Sequence, residues 1–190
     1  MGNMTKKILF LMAGAGLLLG CLAGPALSAE GKSAVILYGS RYGSTEQTAR
    51  WIAEGMNNEA DVRAVKEAGD LSAYKFIILG TGIYYGQVHQ DMIAFLAARK
   101  DEVKDRVVAL FAVSGSGREA YLETFAQALG RNPDLTKAFG GSMKKESLSA
   151  QDYKALEAFY SQSHRPFENY DNTNKEACLE FGREILKAVK

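Results

Sequence analysis

Apolar residues fall along this chain in two textures that alternate: short unbroken runs, and longer stretches with helical spacing. Ser33 to Gly39 (S-A-V-I-L-Y-G) is an apolar run closed by glycine, the pattern of a strand buried on both faces. Just beyond it, Ala49, Ile52, Ala53 and Met56 recur at i, i+3, i+4 and i+7 and so share one helical face, with Ser44 and Gln47 spaced to form its capping box. A weak strand follows at Asp61 to Val65, and a strong one at Lys75 to Thr81 (K-F-I-I-L-G-T). The spacing then predicts a helix around Gln90 to Lys100 with Met92, Ile93 and Leu96 inward, a strand at Arg106 to Val113, and a helix whose inner face is Leu122, Phe125, Ala126 and Leu129. Strands and helices alternating at this length predict a parallel sheet covered on both sides.

After Gly140-Gly141 the pattern loosens. Lys144 to Lys175 is polar, with Tyr153, Phe159, Tyr160, Phe167 and Tyr170 scattered through it. Tyr153, Leu156 and Tyr160 have helical spacing, and an irregular stretch runs from there to Asn174. Two readings stay open: a lid or docking surface beyond the carboxyl ends of the strands, or a roof in which those three residues pack on the sheet. A last helix carries Cys178, Phe181, Ile185 and Val189 on one stripe, which makes Cys178 a core residue.

The N-terminal end is different material. Lys6 and Lys7 precede an uncharged run from Ile8 to Ala29 rich in Leu, Gly and Ala, a signal-peptide shape that sets residues 1–29 apart from a domain at 30–190. Three fates are open: cleavage near Ser28-Ala29, lipidation at Cys21 in Leu18-Leu19-Gly20-Cys21, or retention as an anchor weakened by four glycines and Pro25. Each takes the domain out of the cytoplasm, to the periplasm or to the cell envelope as a lipoprotein, and the last two tether it to a membrane. Removal of Lys6 and Lys7 from 23 basic residues, against 22 acidic ones, leaves a net charge of −1 with histidine neutral. That balance, without a clustered basic face, argues against nucleic-acid binding. Cleavage after Ala29 also leaves Cys178 alone, which excludes an intramolecular disulfide or a cysteine-based metal site.

The chemistry concentrates in Gly39-Ser40-Arg41-Tyr42-Gly43-Ser44-Thr45, between the first strand and the first helix. Backbone amides at a helix start, glycines and three hydroxyls form a phosphate cradle that does not depend on charge; a plain strand-to-helix turn with capping hydroxyls is the alternative. A Walker A loop does not fit, because only three residues separate Gly39 from Gly43 and no lysine follows. Gly115-Ser116-Gly117-Arg118-Glu119-Ala120 matches the dinucleotide fingerprint but follows a late strand, and there is no G-x-S-x-G elbow.

Ser40-x-x-Gly43-x-Thr45 after an apolar strand resembles the first loop of flavodoxins, where hydroxyls and amides hold the FMN phosphate. Gly80-Thr81-Gly82-Ile83-Tyr84-Tyr85-Gly86 resembles their second flavin loop, and Ser114-Gly115-Ser116-Gly117 falls where the third belongs. The resemblance implies an α/β flavodoxin-like three-layer sandwich with a five-stranded parallel sheet in the order 2-1-3-4-5. It also implies FMN contacts at Ser40, Arg41, Tyr42, Gly43, Ser44, Thr45, Gly82, Ile83, Tyr84, Tyr85, Gly86, Ser114, Gly115, Ser116 and Gly117, with Tyr84 and Tyr85 the candidates to sandwich the flavin ring.

Arg41 and Ile83-x-Tyr85-Gly86 with His89 close behind are most similar to flavodoxin-domain oxidoreductases of the oxygen-independent protoporphyrinogen dehydrogenase type, which pass electrons toward quinone. Three functions are therefore carried forward: an FMN-dependent oxidoreductase of the cell envelope acting on a quinone or other planar acceptor, an electron carrier serving a redox partner protein, and a flavin-free binding module on the same fold. His89 is expected either to donate toward flavin or substrate or to make a structural bond at a helix start, and Trp51 to face the surface or a partner. No catalytic acid or base stands out, as expected where the cofactor carries the chemistry.

Overall fold

The computed structural model describes residues 31–190; the expectations for the leader lie outside them. Five parallel strands form the main sheet: β1 (Ala34–Gly39), β2 (Ala60–Ala64), β3 (Phe76–Tyr84), β5 (Val107–Ser114) and β6 (Leu135–Gly140), in the order β2-β1-β3-β5-β6. Counting only these parallel strands, that is the expected 2-1-3-4-5. The short β4 (Gln87–Val88) folds back antiparallel on β3, and β7 (Ser142–Met143) pairs with β8 (Tyr170–Asp171) in a separate two-stranded ladder.

Alternation along β1 divides the core. Val35 and Leu37 join one apolar cluster with Leu79, Met92, Leu96, Phe125 and Leu129, under α2 (Gln90–Val103) and α3 (Ala120–Leu129). Ala34 and Ile36 join the other with Ile52, Met56, Phe111, Phe181 and Ile185, under α1 (Ser44–Gly55) and α5 (Lys175–Val189). Both faces of the sheet are thus buried, which is why its strands read as unbroken apolar runs. Cys178 is buried within the second cluster, as its helical stripe predicts.

Three local expectations are corrected. Ser44 does not cap α1: Gly43 occupies the cap position at φ +86° without a side-chain cap, and the Ser44 hydroxyl instead accepts the Ser142 N–H at 3.1 Å. Ile93 is exposed, and Phe95 takes the inward place beside Met92 and Leu96. Trp51 is half-buried, one part of its ring against the α1/α5 cluster and the other at the surface, so the surface expectation holds in part. The fourth helix, α4 (Ala150–Gln162), forms where Tyr153, Leu156 and Tyr160 predict it, but the roof reading fails because none of the three is buried.

Candidate functional site

Strand order reverses between β1 and β3, and the ends of β1, β3 and β5 open on the same side of the sheet. This is the position at which open α/β sheets bind ligands. A cavity of about 120 Å³ lies there, lined by Tyr42, Ser44 and Thr45 from the first loop, Gly82, Ile83, Tyr84 and Tyr85 from the second, and Ser114 and Gly115 from the third. Three stretches up to 73 residues apart in sequence, from Tyr42 to Gly115, therefore converge on one cleft.

The first loop has the character of an anion cradle. The first amides of α1 have no intrahelical acceptor and no side-chain cap, so they and the positive end of the helix dipole are available at the cleft. Ser40 Oγ accepts the Gly43 N–H at 3.1 Å and holds the turn. Gly82 is needed for the approach of strand to helix: a Cβ there would lie 2.9 Å from Thr45 Oγ1 and 2.8 Å from the Tyr84 ring. Across the cleft, Ser114 Oγ is buried without a hydrogen-bond partner, a polar atom that a ligand would satisfy. Hydroxyls, free amides and an orphaned donor, with no carboxylate in the first loop itself, fit a phosphate monoester.

The second loop turns through Tyr85 (φ +52°) and Gly86 (φ +77°), a two-residue type I′ hairpin joining β3 to β4. Tyr84 folds inward, and its hydroxyl accepts the Arg41 N–H at 2.8 Å. Burial pushes the Tyr84 phenol up from its ordinary value, and the Arg41 amide works in the opposite sense. Tyr85 stays exposed and donates to Asp152 Oδ1 at 2.8 Å. Of the remaining sequence candidates, Ser40 and Gly43 shape the cradle, while Arg41 sends its guanidinium away from it to Asp152. Gly86, Ser116 and Gly117 do not line the cavity, and Gly117 packs against Gly140.

Asp152, near the start of α4, has no counterpart in the sequence reading. Its side chain is 9% exposed, and its carboxylate accepts from Arg41 Nη1 at 2.8 and 3.0 Å, from the Tyr42 hydroxyl and from the Tyr85 hydroxyl. Burial acts to raise its pKa, but the bonds from Tyr42, Tyr85 and Arg41 together outweigh burial and hold it at about 2. Ser149 caps the helix by accepting the Asp152 N–H, and its own N–H donates to the Tyr42 hydroxyl at 3.2 Å. The only local signal was Ser149-x-x-Asp152, which marks a helix start but does not name partners 67 and 110 residues away. Val113, Gly141, Ser142, Met143, Leu148, Leu156 and Tyr170 complete the cavity wall; Leu148, Leu156 and Tyr170 come from Lys144 to Lys175, the segment for which a lid was one of the two sequence readings, although these side chains were not singled out as cleft residues.

His89 is buried and caps α2, its Nδ1 accepting the Asp91 N–H at 3.2 Å. Burial pushes its pKa down, with Asp91 partly opposing. The structural alternative for this residue is the one observed.

The fold has counterparts among solved structures. A two-electron reduced flavodoxin from Megasphaera elsdenii superposes with a TM-score of 0.53 at 15% identity, over 81% of this chain and 98% of its own. Flavodoxin 1 from Bacillus cereus gives 0.52 at 19% identity, over 83% and 99%. The Flv1 flavodiiron core from Synechocystis sp. gives 0.55 at 15% identity, over 85% of this chain but 36% of that one. At these identities the likeness speaks for the fold, and no curated protein matches the chain in sequence. The sequence does match a family model, that of the flavodoxin domain, over residues 35–168, which takes in all three cleft loops and α4. The chain therefore belongs to the flavodoxin domain family.

Proposed function

We propose that this domain holds FMN in the cleft between β1 and β3 and works as a flavin-dependent oxidoreductase of the cell envelope, passing electrons to a quinone or other planar acceptor. The observation that carries the cofactor reading is the convergence of the uncapped α1 amides, the first-loop hydroxyls and the unpartnered Ser114 Oγ on one cavity. Bound FMN supplies electron-transfer chemistry; the chain positions it and excludes water. On this reading Ser44, Thr45 and the first amides of α1 hold the phosphate. Gly82 and Gly115 allow backbone to approach the ring edge, and Tyr84 and Tyr85 flank it. The acceptor reading is supported by the similarity of Arg41 and Ile83-x-Tyr85-Gly86 to the protoporphyrinogen dehydrogenase type, and the envelope reading by the basic and apolar leader.

Fluorimetric titration of the purified protein with FMN tests the cofactor. Thr45→Ala is expected to weaken binding by about 1–3 kcal/mol through loss of a hydroxyl donor; unchanged affinity would contradict the role given to Thr45. Saturable turnover of a soluble quinone, faster than its reaction with free reduced FMN, separates an enzyme from a carrier, for which no saturation with quinone is expected. N-terminal sequencing of protein from a periplasmic fraction tests export, and recovery of the domain solely from cytoplasm would count against it.

A further inference from the structure

Helix α4 is attached to the domain in an unusual way. The single buried residue on its 13-residue length is Asp152, a carboxylate rather than an apolar side chain. Its tyrosines pack on the segment that follows it: Tyr153 and Tyr160 each lie against Phe167, at ring-centroid distances of 5.2 and 5.3 Å, and Phe159 is exposed. A helix that buries no apolar stripe gains little from hydrophobic packing, so polar contacts govern where it rests. Those contacts run to the first loop through Arg41 and Tyr42 and to the second through Tyr85.

The helix also covers the cleft. Leu148, Asp152 and Leu156, from α4 and the turn before it, help to line the cavity of about 120 Å³. Sites for cofactor-sized ligands are roughly 300–1,000 Å³. The covered cleft is smaller than such a site, and the element over it, α4, is anchored most deeply by the polar network of one buried carboxylate.

We infer that Asp152 is a positioning residue that latches α4 across the flavin cleft by gathering Arg41, Tyr42 and Tyr85, so that release of this latch governs cofactor exchange; the inference rests on the cofactor reading proposed above. The three donors satisfy a carboxylate that would otherwise be a costly buried charge, and charge-assisted bonds of this kind are strong while closed. Arg41 is 39% exposed at its side chain, so it returns to water readily when α4 lifts. The latch is thus firm when shut and leaves one solvated cation and two hydroxyls when open.

Stopped-flow FMN binding and amide hydrogen exchange on the full-length protein test this. Asp152→Asn is expected to raise the FMN association and dissociation rates together, each roughly tenfold, and to speed exchange of α4 amides in flavin-free protein. A latch that only gates access moves both rates in the same direction, whereas loss of a direct cofactor contact raises dissociation alone. Tyr85→Phe, which removes one bond at an exposed ring, should shift the same quantities less and serves if Asp152→Asn does not fold. Asp152→Glu should recover part of the slow exchange. Unchanged α4 exchange in both Asp152→Asn and Tyr85→Phe, or a rise in dissociation alone, overturns the latch. If the unaltered protein takes up no FMN, the cofactor reading fails, and the exchange comparison still decides whether Asp152 holds α4.

Discussion

His89 Nδ1 can accept the Asp91 N–H only while the imidazole is neutral at that nitrogen, and burial favours the same neutral form. Its folded pKa therefore lies below the ordinary 6.5, so its contribution to stability is complete above that value and is eroded as pH falls below it. Unfolding free energy measured by urea between pH 7.5 and about 5 should fall more steeply for the unaltered protein than for His89→Asn, which retains a capping group without titrating. Equal slopes would mean that His89 is not held neutral. Cys178 behaves in a related way: burial pushes its thiol up to about 12, so almost no thiolate exists in the folded protein at pH 8. Labelling by a disulfide reagent should be negligible in native buffer and rapid in denaturant. Fast native labelling would contradict the burial of this thiol.

At the scale of elements, α1 and α5 meet through two glycines. A Cβ on Gly55 would collide with the Leu179 carbonyl oxygen, and one on Gly182 with the Ile52 carbonyl oxygen, each far inside van der Waals contact. Because the clashing atoms are backbone, neither contact can be relieved by a rotamer change. Gly182→Ala should accordingly destabilise the domain by about 1–3 kcal/mol despite the better helix propensity of alanine, read as a lower urea midpoint with an unchanged slope. A stabilised Gly182→Ala protein would show that the two helices can separate freely. The apolar stripe of α5 was legible from Cys178, Phe181 and Ile185, but its close crossing with α1 was not, since a glycine in a helix announces no partner. The fifth parallel strand, β6, was likewise hard to read: L-T-K-A-F-G buries only Phe139 fully, as an edge strand does, and so lacks the apolar run of β1 or β3.

For the whole molecule, the Asp152 network ties acid stability to the cleft. The folded carboxyl titrates at about 2 against an ordinary 3.8, so its stabilisation is present above about pH 4 and is lost as pH falls through 2. A shift of this size corresponds to roughly 2 kcal/mol. The stability gap between the unaltered protein and Asp152→Asn should be widest at neutral pH and narrow steadily below pH 4, and a gap independent of pH would show that the carboxylate charge is not what matters. The alternation of strands and helices was legible in the sequence by itself because buried strands and amphipathic helices impose periods that any one segment displays, whereas the sheet order and the second and third loops came from the resemblance of the loop motifs to flavodoxins. Only the tertiary structure decided that Tyr84 turns into the cradle, that Arg41 turns out of it, and that Asp152 joins two loops to α4. Those outcomes depend on which donors find a buried carboxylate 67 to 111 residues away, and a pairing of that range leaves no periodic trace in the chain.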